Sequence, residues 1–337
     1  MKRCLVILLA IAVVFSSLTF VFADDSVITI STADELKAVA SSLGAQGGAG
    51  KIYQLGADIN LEGAIWNTYA IGSAAVPFQG TFDGAGHKIL NYKLNVPTGD
   101  YKEADGRELD LGLFGVLGGD AVVKNLGLDY VSFQSDASWG YNARGGALAA
   151  KLVDNAKVDR CYARNVTFNT EEKSKLGEAG GLIGYLNGTG VAVTNSYSVA
   201  FLEENDSCAH EASLVGLGMQ FSKIENCYAE GSLASVVSEK TSAIINSYST
   251  DNSGWRANTR VGTLVTADRL KGMHKTLGSA FKIGTNYNSG FPVLTWEPDA
   301  DAMKGAGTEA DPYRIKSKED LIEVSIMETT EGKYFQL

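Results

Sequence analysis

A short phrase recurs along residues 112–249 and constrains the fold more than any other feature of the sequence. In its clearest copy, residues 181–184 read GLIG and residues 193–198 read VTNSYS. Further copies lie at 112–115 with 123–127, at 146–149 with 158–162 and at 213–216 with 224–228, and the second part recurs alone at 244–248. The equivalent positions 125, 160, 195, 226 and 246 are 35, 35, 31 and 20 residues apart. Such a period is typical of solenoids, propellers and arrays, whose single repeats cannot bury their own apolar face.

The composition favours a solenoid that is built from β-strands. The chain has 337 residues and 45% hydrophobic content, and its 38 glycines with only 5 prolines indicate many tight bends. Each phrase is expected to supply two or three strands of roughly four to six residues with alternating side chains. Inward Leu, Ile, Val and Phe would stack from turn to turn, each contributing about 1.5–3 kcal/mol when fully buried. The predicted class is therefore an all-β solenoid.

An asparagine recurs in the second part of the phrase, where the chain should turn. These residues are Asn125, Asn195, Asn226 and Asn246. Amides that bond from one repeat to the next explain this recurrence better than a binding role does. We therefore predict a structural column of the four side chains. Arg160 occupies the equivalent position in the remaining copy, and the sequence gives no reason for it.

The N-terminus has the features of a secretory signal peptide. Lys2 and Arg3 precede an apolar run over residues 5–22, and residues 21–23 (VFA) fit the site that a signal peptidase cleaves. We predict a signal peptide over residues 1–23 and a secreted or cell-surface bacterial protein with no membrane span after cleavage. The apolar run is also long enough for an uncleaved anchor, which stays an alternative.

The net charge of −10 and the isoelectric point near 4.9 argue against nucleic acid and anionic membrane surfaces as partners, because both require basic patches.

Cleavage after Ala23 would leave three cysteines, Cys161, Cys208 and Cys227, with no CxxC spacing. Cys161 and Cys227 share their repeat position with serines. Small buried side chains in a stack are therefore favoured over a disulfide.

The predicted mature chain opens with a strand and a short helix. Residues 27–30 (VITI) alternate, and Thr32 and Glu35 have the spacing of a capping box. Leu36, Val39 and Leu43 then fall on one helical face. We expect this N-terminal helix to cap the open end of the solenoid, where unpaired strand edges would otherwise meet water.

Residues 83–87 (DGAGH) invite a catalytic interpretation because they bring Asp83 close to His87. Asp-Gly-x-Gly is first of all a bend that requires positive φ, and no third group completes an acid–base device. We therefore predict a structural turn here, and no catalytic residue or metal ligand is assigned anywhere in the sequence.

The longer repeat intervals require extra residues to leave the coil as loops, at 95–110, 134–144, 169–179 and 203–211. Because they occupy a similar place in each repeat, we expect a wall of loops on one face. Tyr101, Trp139 and Tyr141 are its candidate ligand-binding residues, next to many carboxylates. Acidic loops that are simply solvated are the alternative. Calcium on these carboxylates is conceivable, but no segment has the spacing of an EF-hand, and no cofactor is predicted.

The repeat domain is predicted to span residues 24–297 and to end in a closing cap, with a short helical stretch over 266–277 and an FPVLTW segment at 291–296. A linker follows at 298–312. Residues 313–337 then repeat the opening of the domain, since 315–321 resemble 30–36 and 332–337 (GKYFQL) resemble 50–55 (GKIYQL). We interpret this segment as the truncated start of a second similar unit, or one that needs a partner to cover its edge.

The GLxG phrases, the Asn-Ser/Cys-Tyr ends, FDGAGHKI at 82–89 and FPVLTW resemble bacterial secreted proteins with GLUG-motif repeats. The resemblance spans about residues 27–296. It implies a right-handed parallel β-helix in an exported, often surface-attached protein. Similar repeats accompany some IgA-cleaving metallopeptidases, but His87, His210 and His274 form no HExxH motif, so that activity does not carry over.

Three functions fit the sequence. The first is a non-catalytic surface module that binds an extracellular glycan or protein through its loops, as in adhesion. The second is a polysaccharide lyase or hydrolase, which would need paired carboxylates and a basic residue on one face; Arg144, Arg160 and Arg164 are available, but no constellation is visible. The third is a structural spacer or stalk. The fold alone does not choose among them.

Overall fold

The structure is a computed structural model that describes residues 27–96, 109–135, 143–170, 176–201, 208–219, 222–236, 243–251, 260–284, 288–297, 305–315, 324 and 330–337. Over these residues the chain is mostly β-strand, with only short helices, and its large sheets are built from parallel strands. The predicted all-β class is confirmed. The predicted signal peptide lies outside the described residues, and no described helix is long and apolar enough to span a bilayer.

Each full repeat contributes one strand to each of four sheets, numbered here in the order in which the chain visits them. Sheet 1 contains β6 (Leu109–Leu111), β10 (Ala143–Gly146), β14 (Leu176–Gly180) and β18 (Cys208–Ala212). Sheet 2 contains β7 (Phe114–Leu117), β11 (Ala149–Val153), β15 (Ile183–Asn187), β19 (Val215–Gly218), β22 (Ala234–Val236) and the antiparallel edge strand β25 (Arg260–Val261). Sheet 3 contains β1 (Val27–Ile30), β2 (Ile52–Leu55), β4 (Thr81–Asp83), β8 (Val122–Lys124), β12 (Lys157–Asp159), β16 (Ala192–Thr194), β20 (Lys223–Glu225) and β23 (Ala243–Ile245). Sheet 4 contains β3 (Ile59–Ile65), β5 (Lys88–Val96), β9 (Gly127–Ser135), β13 (Tyr162–Thr170), β17 (Tyr197–Phe201), β21 (Tyr228–Glu230), β24 (Tyr248–Ser249) and β26 (Thr263–Leu264).

The strands of sheet 4 are longer than the sequence indicates. β5, β9 and β13 have 9 residues each and run into positions 95, 134 and 169, which the sequence assigns to loops. The strands of sheet 1 also lie wholly or partly in the stretches predicted as loops, so those bounds are wrong and a full repeat has four strands rather than two or three. In β9, Val131 and Phe133 are buried while Ser132 and Gln134 face outward, so the polar outer residues give the end of the strand the composition of a loop.

The GLxG phrase turns the chain from sheet 1 to sheet 2. Its second copy lies one residue later than the sequence alignment places it, at 147–150 rather than 146–149, because Ala149 pairs with Phe114 on one side and with Ile183 on the other. The phrase leucines are fully buried in every copy: Leu113, Leu148, Leu182 and Leu214.

The last glycine of the phrase allows neighbouring repeats to approach closely. A Cβ on Gly184 would lie 2.6 Å from the carbonyl oxygen of Ala150 and within 3.0 Å of the backbone of Gly145. A side chain here would therefore force apart strands that belong to sheets 1 and 2 of adjacent repeats.

The recurring asparagines form the turn from sheet 3 to sheet 4. Asn125, Asn195, Asn226 and Asn246 have φ between 46° and 53°, a left-handed conformation that asparagine tolerates better than most residues. Asn246 donates from Nδ2 to Oδ1 of Asn226 at 2.8 Å, and Asn226 donates in the same way to Asn195 at 3.1 Å. Amides of successive repeats are thus bonded directly along this part of the column.

Carboxylates replace the amide acceptor further down the column. Arg160 keeps the turn conformation with φ of 51°, and the Asp159 carboxylate beside it accepts the Nδ2 bond of Asn195 at 2.7 Å. Asn125 likewise donates to Asp83 at 3.0 Å. Where Arg160 replaces asparagine, the preceding residue, Asp159, therefore supplies the acceptor for Asn195.

The N-terminal helix α1 (Ala33–Ser42) has the capping box that the sequence predicts. Thr32 accepts the Glu35 N–H at 3.2 Å, and the Glu35 carboxylate accepts the Thr32 N–H at 3.0 Å. Leu36, Val39 and Leu43 are buried in the core that runs through the stack.

The thiols of Cys161 and Cys227 are buried and free, in line with the sequence interpretation. Each occupies the small-residue position after the turn. The Cys161 N–H donates to Ser196 Oγ, and the Cys227 N–H donates to Ser247 Oγ, both at 3.1 Å. The side chain of Cys208 lies outside the described residues.

The C-terminal segment that the sequence analysis predicts as a closing cap instead covers part of the outer face of sheet 4, across three successive repeats. It contains α2 (Ala267–Lys271), α3 (His274–Leu277), β27 (Phe281–Lys282) and β28 (Val293–Leu294), and forms a second apolar cluster with the tyrosines of the repeat. Tyr162, Tyr197 and Tyr228 stack with centroid separations of 5.2 and 4.9 Å, and Trp296 stacks on Tyr162 at 5.6 Å. The covered tyrosines are the final residues of the Asn-Ser/Cys-Tyr phrases.

Strands β29 (Tyr313–Arg314) and β30 (Phe335–Gln336) form a separate two-stranded parallel ladder. Tyr313 pairs with Phe335, as Ile28 pairs with Tyr53 at the start of the chain. This is the register that the sequence similarity of the two segments requires.

Candidate functional site

Four connections of the repeat join sheet 4 to sheet 1 at one corner of the stack. Residues 97–108, 136–142, 171–175 and 202–207 follow β5, β9, β13 and β17 and lead into β6, β10, β14 and β18. Val96 pairs with Ser135, and Ser135 pairs with Thr170, so the first three departure points stand side by side, whereas β17 ends at Phe201, opposite Thr167. Neighbouring parallel strands are about 4.8 Å apart, which places the bases of the first three connections in one row.

The predicted ligand residues Tyr101, Trp139 and Tyr141 belong to these connections and lie outside the described residues. Their roles stay predictions. What the structure does describe is the protein surface into which the connections lead, namely the outer face of sheet 1 and the adjoining edge of sheet 2.

Charged side chains occupy one register position on the outer face of sheet 1. Arg144 pairs with Asp110 on one side and Glu178 on the other, and Glu178 pairs with His210. The Arg144 guanidinium lies 3.2 Å from the Glu178 carboxylate and 3.8 Å from that of Asp110. The three side chains are only 8–16% exposed, so their charges interact more strongly than at an open surface.

An aromatic ring from sheet 2 completes this surface, which we call the charged corner (Asp110, Arg144, Glu178, Lys151 and Tyr185). The guanidinium carbon of Arg144 lies 4.9 Å from the ring centroid of Tyr185, and the ammonium of Lys151 lies 5.9 Å from it. Two cations lie on one ring, and Arg144 is held by the flanking carboxylates, so the corner combines charge, hydrogen-bond donors and an aromatic surface.

The other two arginines named by the sequence lie elsewhere. Arg160 is at the turn between sheets 3 and 4, where its backbone carbonyl accepts the Nε1–H of Trp296 at 3.1 Å. Arg164 is buried beneath the C-terminal segment, 3.2 Å from Glu297 and 3.6 Å from Asp129. The three arginines therefore do not share one face.

The buried group around Arg164 fixes the C-terminal segment to the repeats. Glu297 accepts the Tyr197 hydroxyl hydrogen bond at 3.0 Å and the Leu294 N–H at 2.7 Å. Burial raises the pKa of the Glu297 carboxyl, although the Arg164 guanidinium and the hydrogen bonds oppose this. Its contacts are all internal, which is the pattern of a structural group.

Asp83 and His87 do not form an acid–base pair. Asp83 accepts the Ala85 N–H at 2.8 Å and lies 3.3 Å from Lys124, whereas His87 Nδ1 lies 3.0 Å from Asp58. Burial alone would raise the pKa of the Asp83 carboxyl, but its hydrogen bonds and Lys124 hold it below its ordinary value. The structural interpretation of this turn agrees with these contacts.

The sequence analysis missed the charged corner, although a signal exists. Asp110, Arg144, Glu178 and His210 all lie two or three residues before a GLxG phrase. Because Asp110 lies two residues before its phrase and the others lie three, only the strand pairing shows that they form one column. Within the described part of the chain, no three His, Cys, Asp or Glu side chains form a group that could hold a metal ion.

Comparison with known proteins does not assign this chain to a family. No family model matches this chain, and no curated protein matches it.

Proposed function

We propose that this chain is a non-catalytic, exported surface module that binds an extracellular glycan or protein through the connections at the corner between sheets 4 and 1. In this proposal the four sheets belong to a right-handed parallel β-helix with GLUG-type repeats. Residues 1–23 direct export to the outside of a bacterial cell, where the module serves adhesion.

The observation that carries the proposal is the position of the long connections. Insertions at a single corner leave the buried leucines of every repeat untouched, so the loops can vary in sequence without cost to the core. Because the bases of the first three stand in one row, these connections can contact one extended ligand together. A chain molecule such as a polysaccharide has the matching shape.

The charged corner supports the same surface. Tyr185 is partly exposed and adds aromatic surface beside the two cations, and Arg144 and Lys151 give the corner positive charge that attracts hydroxyl or carboxylate groups. Arg144 is already oriented by two carboxylates, so little side-chain entropy would be lost when a ligand binds.

The proposal is tested by binding of the mature protein to a glycan array and to extracellular-matrix proteins. Trp139→Ala and Tyr185→Ala should each weaken binding at least tenfold, while Tyr334→Ala, an exposed aromatic outside the four sheets, should not. Binding that all three variants retain would refute a ligand surface at this corner. If the wild-type protein binds nothing in either panel, the spacer or stalk function replaces the proposal.

A polysaccharide lyase or hydrolase is the second candidate, because Asp110 and Glu178 flank Arg144 on one face. Both carboxylates lie within 3.8 Å of the Arg144 guanidinium, so this face holds a pair of neighbouring carboxyl groups, the residue type that glycosidases use. Incubation with acidic polysaccharides and analysis of reducing ends and unsaturated products tests this activity. Product release by the wild type that Glu178→Gln abolishes would replace the non-catalytic proposal.

A further inference from the structure

A polar pocket lies on the uncovered part of the outer face of sheet 4. The C-terminal segment covers the tyrosine column of later repeats, but the first three strands, β3, β5 and β9, carry an open pocket of about 460 Å³. The side chains and backbone around it include Asn60, Glu62, Asn91, Lys93, Tyr130 and Ser132. A volume of this size is in the range of small-ligand pockets.

The pocket forms where the long strands of sheet 4 bend. Glu62, Asn91 and Tyr130 have φ of 52°, 59° and 56°, and Asn165 in the next strand has φ of 51°. Asn91, Tyr130 and Asn165 occupy the same register position, between pairs 90–129–164 and 92–131–166. The strands therefore share one left-handed bend, and two of its three aligned positions use asparagine.

Tyr130 is the exception in this column. Bulky aromatic residues rarely adopt a left-handed conformation, whereas asparagine does so readily. A residue that strains the backbone where its neighbours do not indicates that its side chain is needed for something other than the turn. The pocket that Tyr130 borders is the feature next to it.

The buried hydroxyl of Ser132 points to a missing partner at the same site. Its Oγ is inaccessible to solvent and has no hydrogen bond within the described residues, although it lies at the pocket wall. Buried hydroxyls nearly always have a partner, and rotation of the Ser132 side chain toward the pocket would let a ligand hydroxyl supply one.

The charges of the pocket balance. Lys93 and Glu62 each line it, and neither forms an ion pair with a described residue. The Asn60 amide oxygen accepts the Glu62 N–H at 2.8 Å and the Nδ2 of Asn91 at 3.0 Å, which fixes both amides. An arrangement of fixed amides, a serine hydroxyl and an aromatic ring, with no net charge, matches the alternating hydroxyl and C–H surface of a neutral sugar.

We propose that this pocket is a saccharide-binding site for a neutral hexopyranose unit, distinct from the charged corner. Tyr130 provides the stacking face, Ser132 and the amides of Asn60 and Asn91 bond hydroxyl groups, and Lys93 and Glu62 border the site. The site does not depend on binding at the loops, since its described residues belong to strands β3, β5 and β9.

Tyr130→Asn tests the assignment, because it gives the position the residue that Asn91 and Asn165 already have. On an array of neutral hexose oligosaccharides and their uronic acid counterparts, the wild type should bind neutral ligands, and Tyr130→Asn should weaken that binding at least tenfold. The same variant should leave Tm unchanged or raise it by about 2–4 °C, because the backbone strain is relieved. Ser132→Ala should also weaken binding without lowering Tm.

Three results would overturn the assignment: no neutral ligand bound by the wild type, unchanged binding by Tyr130→Asn, or a lower Tm of this variant, which would show that the ring packs in the fold. Trp139→Ala separates this inference from the proposed function. If Trp139→Ala loses binding while Tyr130→Asn retains it, the loop surface is supported and the pocket is refuted. If Tyr130→Asn loses binding while Trp139→Ala retains it, the pocket is supported and the loop surface is refuted.

Discussion

The C-terminal segment should depend on a single buried carboxylate, that of Glu297. The side chains of Glu297, Arg164 and Asp129 are only 2–5% exposed, and Glu297 is the nearer of the two carboxylates to the guanidinium. Glu297→Ala removes this ion pair together with the hydrogen bonds to Tyr197 and to the Leu294 N–H. Because Asp129, 3.6 Å from the guanidinium, remains as a partner of Arg164, the cost should be that of the lost charged hydrogen bonds, about 1.5–3 kcal/mol.

Hydrogen exchange of residues 265–297 measures this cost where it arises. Since each 1.36 kcal/mol is a factor of ten, exchange through opening of the segment should become about one to two orders of magnitude faster in Glu297→Ala. Peptides from the buried strands of sheets 2 and 3 should change far less. An acceleration below tenfold in the segment would refute the argument that this carboxylate holds it on the repeats. Glu297→Gln is the matched control, because it keeps an acceptor for Tyr197 and should recover part of the loss.

The same carboxylate gives the segment a defined pH dependence. Burial raises the pKa of Glu297 in the folded state, so the folded protein binds this proton more tightly than the unfolded chain does. The contribution of this group to stability is therefore largest at low pH and falls as pH rises from the unfolded pKa through the folded pKa. In Glu297→Gln this component should vanish. A segment whose exchange has the same pH dependence in wild type and Glu297→Gln would contradict the assignment.

Three further predictions concern the repeats. Gly184→Ala should lower the free energy of unfolding by about 1–3 kcal/mol in urea titrations, because the new methyl group meets the backbone of Ala150 at 2.6 Å; a neutral effect would show that the repeats are not closely packed here. Asn226→Ala should lower the free energy of unfolding by about 1–3 kcal/mol, since it loses both the left-handed preference and two amide hydrogen bonds. Asn226→Gly should recover the part that is due to φ. Equal losses of stability in the two variants would argue that the turn conformation contributes nothing. The thiols of Cys161 and Cys227 should resist alkylation at pH 8 until the protein is unfolded, because burial raises the pKa of Cys227 to about 12 and that of Cys161 further. Rapid alkylation of either cysteine in the native protein would contradict their burial.

The sequence predicted the periodic features of this chain well because they recur at equivalent positions from repeat to repeat. The asparagine turn, the buried phrase leucine and the small residue after the turn follow from aligned positions alone. One local error arose at the second GLxG copy, where Gly146 suggested a phrase that the strand register places at Ala147. Gly146 was misleading because it is the last residue of β10 and pairs with Gly180, the residue before the next phrase.

Features that depend on contacts between distant parts of the chain could not be predicted in this way. The tyrosines of the Asn-Ser/Cys-Tyr phrases are visible in the sequence, but nothing in a repeat indicates that residues 265–297 return to cover them. Arg164 likewise resembles an exposed arginine until Glu297, 133 positions later, is placed beside it. The charged corner required the correct register of sheet 1, which only the strand pairing supplies.

The covered tyrosine column also bears on where a ligand binds. Three stacked rings would make an effective surface for sugars, yet Tyr162, Tyr197 and Tyr228 are buried beneath the C-terminal segment. Ligand stacking on the described surface therefore falls to partly exposed rings such as Tyr185 and Tyr130. In β9, Tyr130 lies five residues before Ser135, where a connection begins, and that connection enters sheet 1 beside Arg144. The two proposed sites thus lie on either side of one corner, and a polysaccharide that crosses the row of connections could occupy both.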